Sequence, residues 1–271
     1  MAHTPSGIAY DVAGPETGGV ALVLVHAGIA DRRMWDGIWP AVTASRRVLR
    51  VDLRGFGEST ERPAAALDAG ADLLEAVAVA GIGRAHLVGA SMGAGAVVGA
   101  ALTQPDIAAS LVLAPPGGDL YERPTDELRA FWRAEGEALD RGDLDAAVEA
   151  NLVTWVDGRG RSPDAVDAGA RRRIGDMQRR AFEVTADWDD VEEATSDPPI
   201  IERLAEIRVP TLVLAGDLDI DAVDIAAARI ARDVPGSRVV RWSGVAHVPS
   251  VERPAEFVEL LADWMSEVEA R

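Results

Sequence analysis

Ala85-His86-Leu87-Val88-Gly89-Ala90-Ser91-Met92-Gly93-Ala94-Gly95 is the segment from which the rest of the chain is read. It runs as a short apolar strand, a sharp turn at Ser91 and the opening of a small-residue helix, with Gly-x-Ser-x-Gly at the junction. A serine on such a turn occupies a strained backbone position, and small residues two places to either side let strand and helix approach closely. The turn lifts the hydroxyl clear of the sheet, with the helix N-terminus behind it. The bare pattern recurs by chance, and a glycine-rich turn that merely packs a helix on a strand carries it equally well. The surroundings have to separate the two.

On either side, apolar runs recur at Ala21–Val25, Val48–Val51, Ser110–Leu113, Thr211–Leu214 and Arg238–Arg241. Helical spacing fills most of the gaps, for example from Asp72 and from Glu252 to Glu269. Continuously apolar strands alternating with helices predict an α/β fold with a mostly parallel, doubly wound sheet, and Gly7–Val12 predicts an antiparallel edge hairpin. The alternation stops between Gly117 and Ile200, where three of the seven tryptophans lie (Trp132, Trp155, Trp188) and helices are predicted over 126–140, 144–155 and 164–182. The expected organisation is a core of residues 1–118 and 200–271 with a helical cap over 119–199.

Composition narrows the chemistry. The chain of 271 residues has no Cys, and its 27 basic residues are all Arg. Disulfides, thiolate nucleophiles and Cys-based zinc sites are excluded, as are lysine Schiff bases and a P-loop lysine. A net charge of −18 repels nucleic acid and anionic membrane. Ala85–Pro105 is an uncharged run long enough to raise a membrane span, but His86, Ser91 and four glycines break it. With no basic or apolar leader at Met1–Pro5, a cytoplasmic protein is expected. The four scattered histidines make a poor metal-ligand set, so neither metal nor cofactor is implied.

A serine hydroxyl is inert without a base. His3 lies at the terminus, His86 inside a strand, and His26 at a strand end where it reads as a loop anchor. His247, in the loop after the last strand, is the base by elimination and by location, because loops at the carboxyl ends of parallel strands meet at one edge. An acid must orient its imidazole. Asp219, past the end of the preceding strand, is the choice, although spacing alone does not separate it from Asp217 and Asp221, and Asp119 is a more distant rival. The chain order Ser, Asp, His is the one expected when an elbow serine leads.

These residues together resemble the α/β-hydrolase fold. Val25-His26-Ala27-Gly28 is similar to that family's His-Gly-x oxyanion loop, with Trp35 beyond it, and Asp52-Leu53-Arg54-Gly55-Phe56-Gly57-Glu58-Ser59 to its D-x-R-G-x-G-x-S turn. Val209–Asp219 is similar to its acid-bearing strand, which favours Asp219, and Gly244–His247 with Glu252-Arg253-Pro254 to its histidine loop. Ala27 departs from the family's usual Gly. The resemblance implies an oxyanion hole from the backbone N–H groups of Gly28 and Met92, and a cap over the site. The Asp52–Ser59 turn reads as structural. Trp132, Trp155 and Met177 are pocket candidates, with Tyr121 and Phe182 beside them. An arginine of the 171–180 stretch turned inward would suit a substrate carboxylate.

The function expected is a serine hydrolase cleaving a small carboxylic ester or lactone through an acyl-enzyme on Ser91. The neighbouring alternatives are an enol-lactonase-like enzyme or a C–C bond hydrolase of aromatic catabolism. From another class comes a slow or non-catalytic ligand receptor on the same fold. Dehalogenase and epoxide hydrolase readings need Asp where Ser91 stands. A dinucleotide site is weak, because no acidic residue ends the Leu111–Ala114 strand. The expected partner is a small-molecule substrate, with a homodimer left open.

Overall fold

The apolar runs at the centre of the chain's sheet bury both of their faces, whereas the last, Arg238–Trp242, is an edge strand that stays partly exposed. Leu22, Leu24, Val88, Val112, Leu212 and Leu214 belong to one hydrophobic cluster. Their immediate neighbours Val23, Val25, Leu87, Leu111 and Val213 belong to a second. Side chains alternate across a strand, so a run without polar breaks is what a sheet covered on both sides requires. In the computed structural model, which describes residues 1–17 and 19–271, the strands are β1 (Ala2–His3), β2 (Ala9–Ala13), β3 (Ala21–Val25), β4 (Val48–Val51), β5 (Ala85–Ser91), β6 (Ala108–Pro116), β7 (Thr211–Gly216) and β8 (Arg238–Trp242). They form one eight-stranded sheet in the order β1-β2-β4-β3-β5-β6-β7-β8. β1, β2 and β4 pair antiparallel, as the edge-hairpin reading expects, and every pairing from β4 to β8 is parallel.

The chain steps from β3 outward to β4 and then back across β3 to β5, so the order of winding reverses at β3/β5. In an open parallel sheet a crevice forms at such a reversal, outside the carboxyl ends of the strands. His26 to Gly28 leave β3 at that place, and Ser91 ends β5 there.

The helices are α1 (Trp39–Thr43), α2 (Ala69–Val79), α3 (Met92–Thr103), α4 (Asp126–Asp140), α5 (Leu144–Asn151), α6 (Ala168–Val184), α7 (Asp221–Asp233), α8 (Pro249–Glu252) and α9 (Pro254–Glu269). α2 and α3 cover one face of the sheet, α1 and α9 the other, and α7 contributes to both clusters. Between β6 and β7 the described residues form α4, α5, α6 and short turns. α5 is shorter than its sequence suggests, because the segment Leu152–Asp157 widens into a π-turn. Gly158 closes it at φ +72°, where a methyl group would lie 2.6 Å from the Ala246 side chain. α6 begins later than its periodicity suggests, since Pro163–Ala165 make a separate turn and Asp167 caps the Ala170 N–H at 2.7 Å.

The insert is fastened to the sheet's carboxyl edge by two backbone bonds and by a side chain. The His247 N–H donates to Trp155 O at 3.2 Å, and the Arg159 N–H donates to Leu218 O at 2.7 Å. The Asp221 N–H donates to Glu127 Oε2 at 2.8 Å. No helix among the described residues is long and apolar enough to cross a membrane.

Candidate active site

Ser91 is the one non-glycine residue among those described with a positive φ, at +52°. L-residues avoid this region, and strain of that kind persists only where neighbours over-determine it. Two glycines do so here. A methyl group on Gly89 would stand 2.2 Å from Gly93 O, and one on Gly93 would stand 2.5 Å from both Val25 O and His26 O. β5, α3 and the end of β3 are therefore packed backbone to backbone around the turn. Both glycines of the sequence motif are explained by close approach, and the reading as a mere packing turn leaves the strain at Ser91 unexplained.

The loops after β7 and β8 supply a buried acid–imidazole pair. Asp219 Oδ2 lies 2.7 Å from His247 Nδ1, and each residue is 1% exposed. A carboxylate can only accept, so the imidazole carries its proton on Nδ1 and leaves the Nε2 lone pair free. Oδ1 accepts the Ile220 N–H at 2.9 Å, which fixes the carboxylate's rotation. Gly216 lets the two loops meet: a methyl group there would be 2.1 Å from Val245 O. Trp155 packs its indole 4.4 Å from the imidazole, centroid to centroid, and Phe131 meets Trp155 edge-on. The pair is thereby shielded from water, which strengthens its electrostatic coupling.

The other acids are occupied elsewhere. Asp217 is held by Ser243 Oγ at 2.7 Å and Gly244 N at 2.6 Å, and these donors keep its carboxyl below the usual range. Asp221 opens α7. Asp119 adjoins Gly95 of α3, away from the imidazole pair. Glu252 accepts the Ala246 N–H at 2.8 Å and pairs with Arg161 at 2.8 Å, so it braces the histidine loop one residue before His247. Burial raises its carboxyl, and Arg161 opposes that. The only sign of this task in the sequence is the place of Glu252 in the Glu-Arg-Pro segment after the histidine loop.

His26 is an anchor. Its Nε2 accepts the Leu53 N–H at 2.9 Å, which requires a lone pair there, so Nδ1–H donates to Ala27 O at 2.9 Å. Both nitrogens are thus used in the neutral form, and burial lowers the imidazole's pKa. The unfolded chain takes up a proton at this position as pH falls through 6.5, whereas the folded chain resists it. Stability should therefore drop on acidification below that value, by about 1.4 kcal/mol per pH unit for each such histidine. Urea titrations of the wild type and His26→Gln between neutral and mildly acid pH check this: the variant should be less stable at neutral pH, with a shallower dependence. The Asp52–Ser59 turn is structural as well, since Asp52 accepts Arg32 N at 2.7 Å and Glu58 N at 2.9 Å.

Gly28 and Met92 adjoin, because a methyl group on Gly28 would lie 3.7 Å from Met92 Cβ. Met92 opens α3, so its N–H has no partner within the helix. The Gly28 N–H finds no acceptor among the described residues. Ala27, where the family's usual residue is Gly, is fully buried, and its carbonyl accepts from His26 and Ala30.

The pocket candidates divide. Trp155 lies on His247, and Met177 Sδ faces the Asp31 N–H at 3.5 Å, beside the loop that leaves β3. Trp132 is a correction: it is 48% exposed on the outer side of α4. One residue along a helix turns the side chain by about 100°, so its neighbour Phe131 takes the inward place. The arginine stretch does send one residue inward, but Arg171 grips the buried Asp157 through two bonds of 2.9 Å and pairs with Glu149. That fork fastens the π-turn carrying Trp155 and is not free for a substrate. Among the described residues no group of three or more His, Asp or Glu is placed to hold a metal.

Comparison with known proteins agrees with this architecture. The chain is 22% identical over 264 residues to 3-oxoadipate enol-lactonase 1 of Acinetobacter baylyi, covering 97% of this chain and 94% of the relative. It is 26% identical over 258 residues to the pimeloyl-[acyl-carrier protein] methyl ester esterase of Aeromonas salmonicida, covering 90% and 94%. The crystal structure of the enol-lactonase from Burkholderia xenovorans superposes with a TM-score of 0.74 at 22% identity, covering 96% of each chain. The sequence profile of the alpha/beta hydrolase family matches residues 22–260, and the chain belongs to that family.

Proposed function

We propose that this protein is a serine hydrolase that cleaves a small carboxylic ester or lactone through an acyl-enzyme on Ser91. The observation that carries the reading is the strained Ser91 on the same sheet edge as the buried Asp219–His247 pair. His247 Nε2 takes the hydroxyl proton as Oγ bonds to the carbonyl carbon. Asp219 holds the ring's tautomer and stabilises the imidazolium. The Gly28 and Met92 N–H groups receive the developing oxyanion; such preorganised donors are worth about 3 kcal/mol each. The imidazolium returns its proton to the leaving oxygen as the C–O bond breaks. Water, deprotonated by the same His247, then releases the acid and restores Ser91.

Residues 119–199 act as the cap, closing over the edge with Trp155 and Met177 toward the reacting groups. The ester and lactone assignment draws on relatives whose names specify an enol-lactonase and a methyl ester esterase. Intact-mass labelling with a fluorophosphonate tests the reading without a chosen substrate. One adduct is expected on the wild type and none on Ser91→Ala. A folded wild type that takes no adduct would falsify it and bring the ligand-receptor alternative forward.

A further inference from the structure

One polar group beside the site has no part in the steps above. Tyr121 follows the short turn Gly118–Leu120 that leads out of β6, and its hydroxyl oxygen is buried without a hydrogen-bond partner. It faces the serine. A methyl group built on Gly117 would lie 2.8 Å from Ser91 Oγ and 3.1 Å from the Tyr121 oxygen, so both oxygens border the one small volume that this glycine leaves open. A hydroxyl withdrawn from water without a partner destabilises the fold. Such a group is accounted for if its partner arrives with the substrate.

The strand order fixes the side on which it stands. Gly28 comes from β3, on one flank of β5, whereas Tyr121 comes from β6, on the other flank, toward the β7 and β8 loops that carry Asp219 and His247. The Gly28 N–H and Tyr121 therefore approach Ser91 from opposite flanks, with the Met92 N–H between them at the end of β5. The leaving oxygen must lie toward His247, which protonates it. Burial and the Asp219 charge raise the phenol's pKa, and the nearness of Ser91 only partly offsets this, so Tyr121 remains an O–H donor throughout the working range.

Resting on the hydrolase reading, we infer that Tyr121 is a further catalytic residue whose hydroxyl donates a hydrogen bond to the leaving-group oxygen. In acylation the Oγ–C bond forms and the C–O bond breaks. The proton taken from Ser91 travels through His247 to the departing oxygen. Tyr121 keeps its own proton and stabilises the negative charge that builds on that oxygen before the transfer is complete. Its help matters most for a basic alkoxide and least for a leaving group that bears charge readily.

The test compares ethyl and p-nitrophenyl esters of the same straight-chain acids, acetate to hexanoate, on the wild type and Tyr121→Phe, with fluorophosphonate labelling alongside. For the ethyl esters kcat/KM should fall about 10- to 100-fold, the worth of one hydrogen bond to a charged group. The p-nitrophenyl esters should lose far less, and labelling, in which fluoride departs, should keep its rate. The variant's Tm should equal or exceed the wild type's, because the hydroxyl removed has no partner in the resting fold. Equal losses on both esters with slowed labelling would place Tyr121 on Ser91 itself and overturn the assignment, as would no loss on either. A wild type that neither labels nor turns over any ester removes the hydrolase reading, a result distinct from both.

Discussion

Ser91→Ala should fold normally and lose about a millionfold in kcat, the cost of removing one member of a nucleophile–base unit that acts together. The substitution deletes only Oγ. Gly89 and Gly93 still force the tight turn, and alanine tolerates φ +52° no worse than serine does. The Gly28 and Met92 N–H groups remain, so turnover should not vanish: about 10³- to 10⁴-fold acceleration over water is left when the oxyanion donors and binding act alone. Single-turnover kinetics with any ester the wild type accepts, together with an unchanged Tm, measure both parts. A variant that kept a hundredth or more of wild-type turnover would put the nucleophile elsewhere.

That prediction rests on the part of the site that sequence carries best. Gly89 and Ser91 are constrained by backbone contacts within one strand–turn–helix unit, and Gly93 by the adjoining end of β3, so a short local pattern marks all three. The apolar strands are legible for a similar reason, since burial on both faces favours apolar residues at successive positions, and the few polar ones, such as His86 and Ser110, pair with each other. Long-range contacts are less visible. Nothing in the order of residues tells that Trp155 reaches His247 while Trp132, with the same side chain on the neighbouring helix, turns outward. The outcome depends on helix rotation and on a π-turn held by Arg171 and Asp157. Tyr121 reads as one more apolar lining residue until the fold sets its hydroxyl beside Ser91 across Gly117.

Asp219→Asn should cost about 10⁴-fold in kcat by imposing the wrong tautomer on the base. Sequence spacing leaves Asp217, Asp219 and Asp221 in competition, and the contacts of Asp219 make its replacement the informative one. Its Oδ1 accepts the Ile220 N–H at 2.9 Å, so an asparagine there must keep its carbonyl oxygen on that donor. The amide NH₂ then occupies the place of Oδ2, 2.7 Å from His247 Nδ1, and presents a donor where an acceptor stood. The imidazole answers by accepting at Nδ1 and carrying its proton on Nε2, the nitrogen that in the proposed mechanism receives the proton from Ser91. Packing is nearly unchanged, so the loss should appear in kcat with Tm held, and nitrogen NMR of the imidazole should show the proton moved from Nδ1 to Nε2. Asp217→Asn is the control. Its partners are Ser243 and Gly244 at the exposed start of the histidine loop, and an amide oxygen can still accept from one of them. It should therefore cost far less than Asp219→Asn. Were Asp217→Asn the more damaging change, the acid would be misassigned and the Asp219 pair would be reduced to a structural clasp.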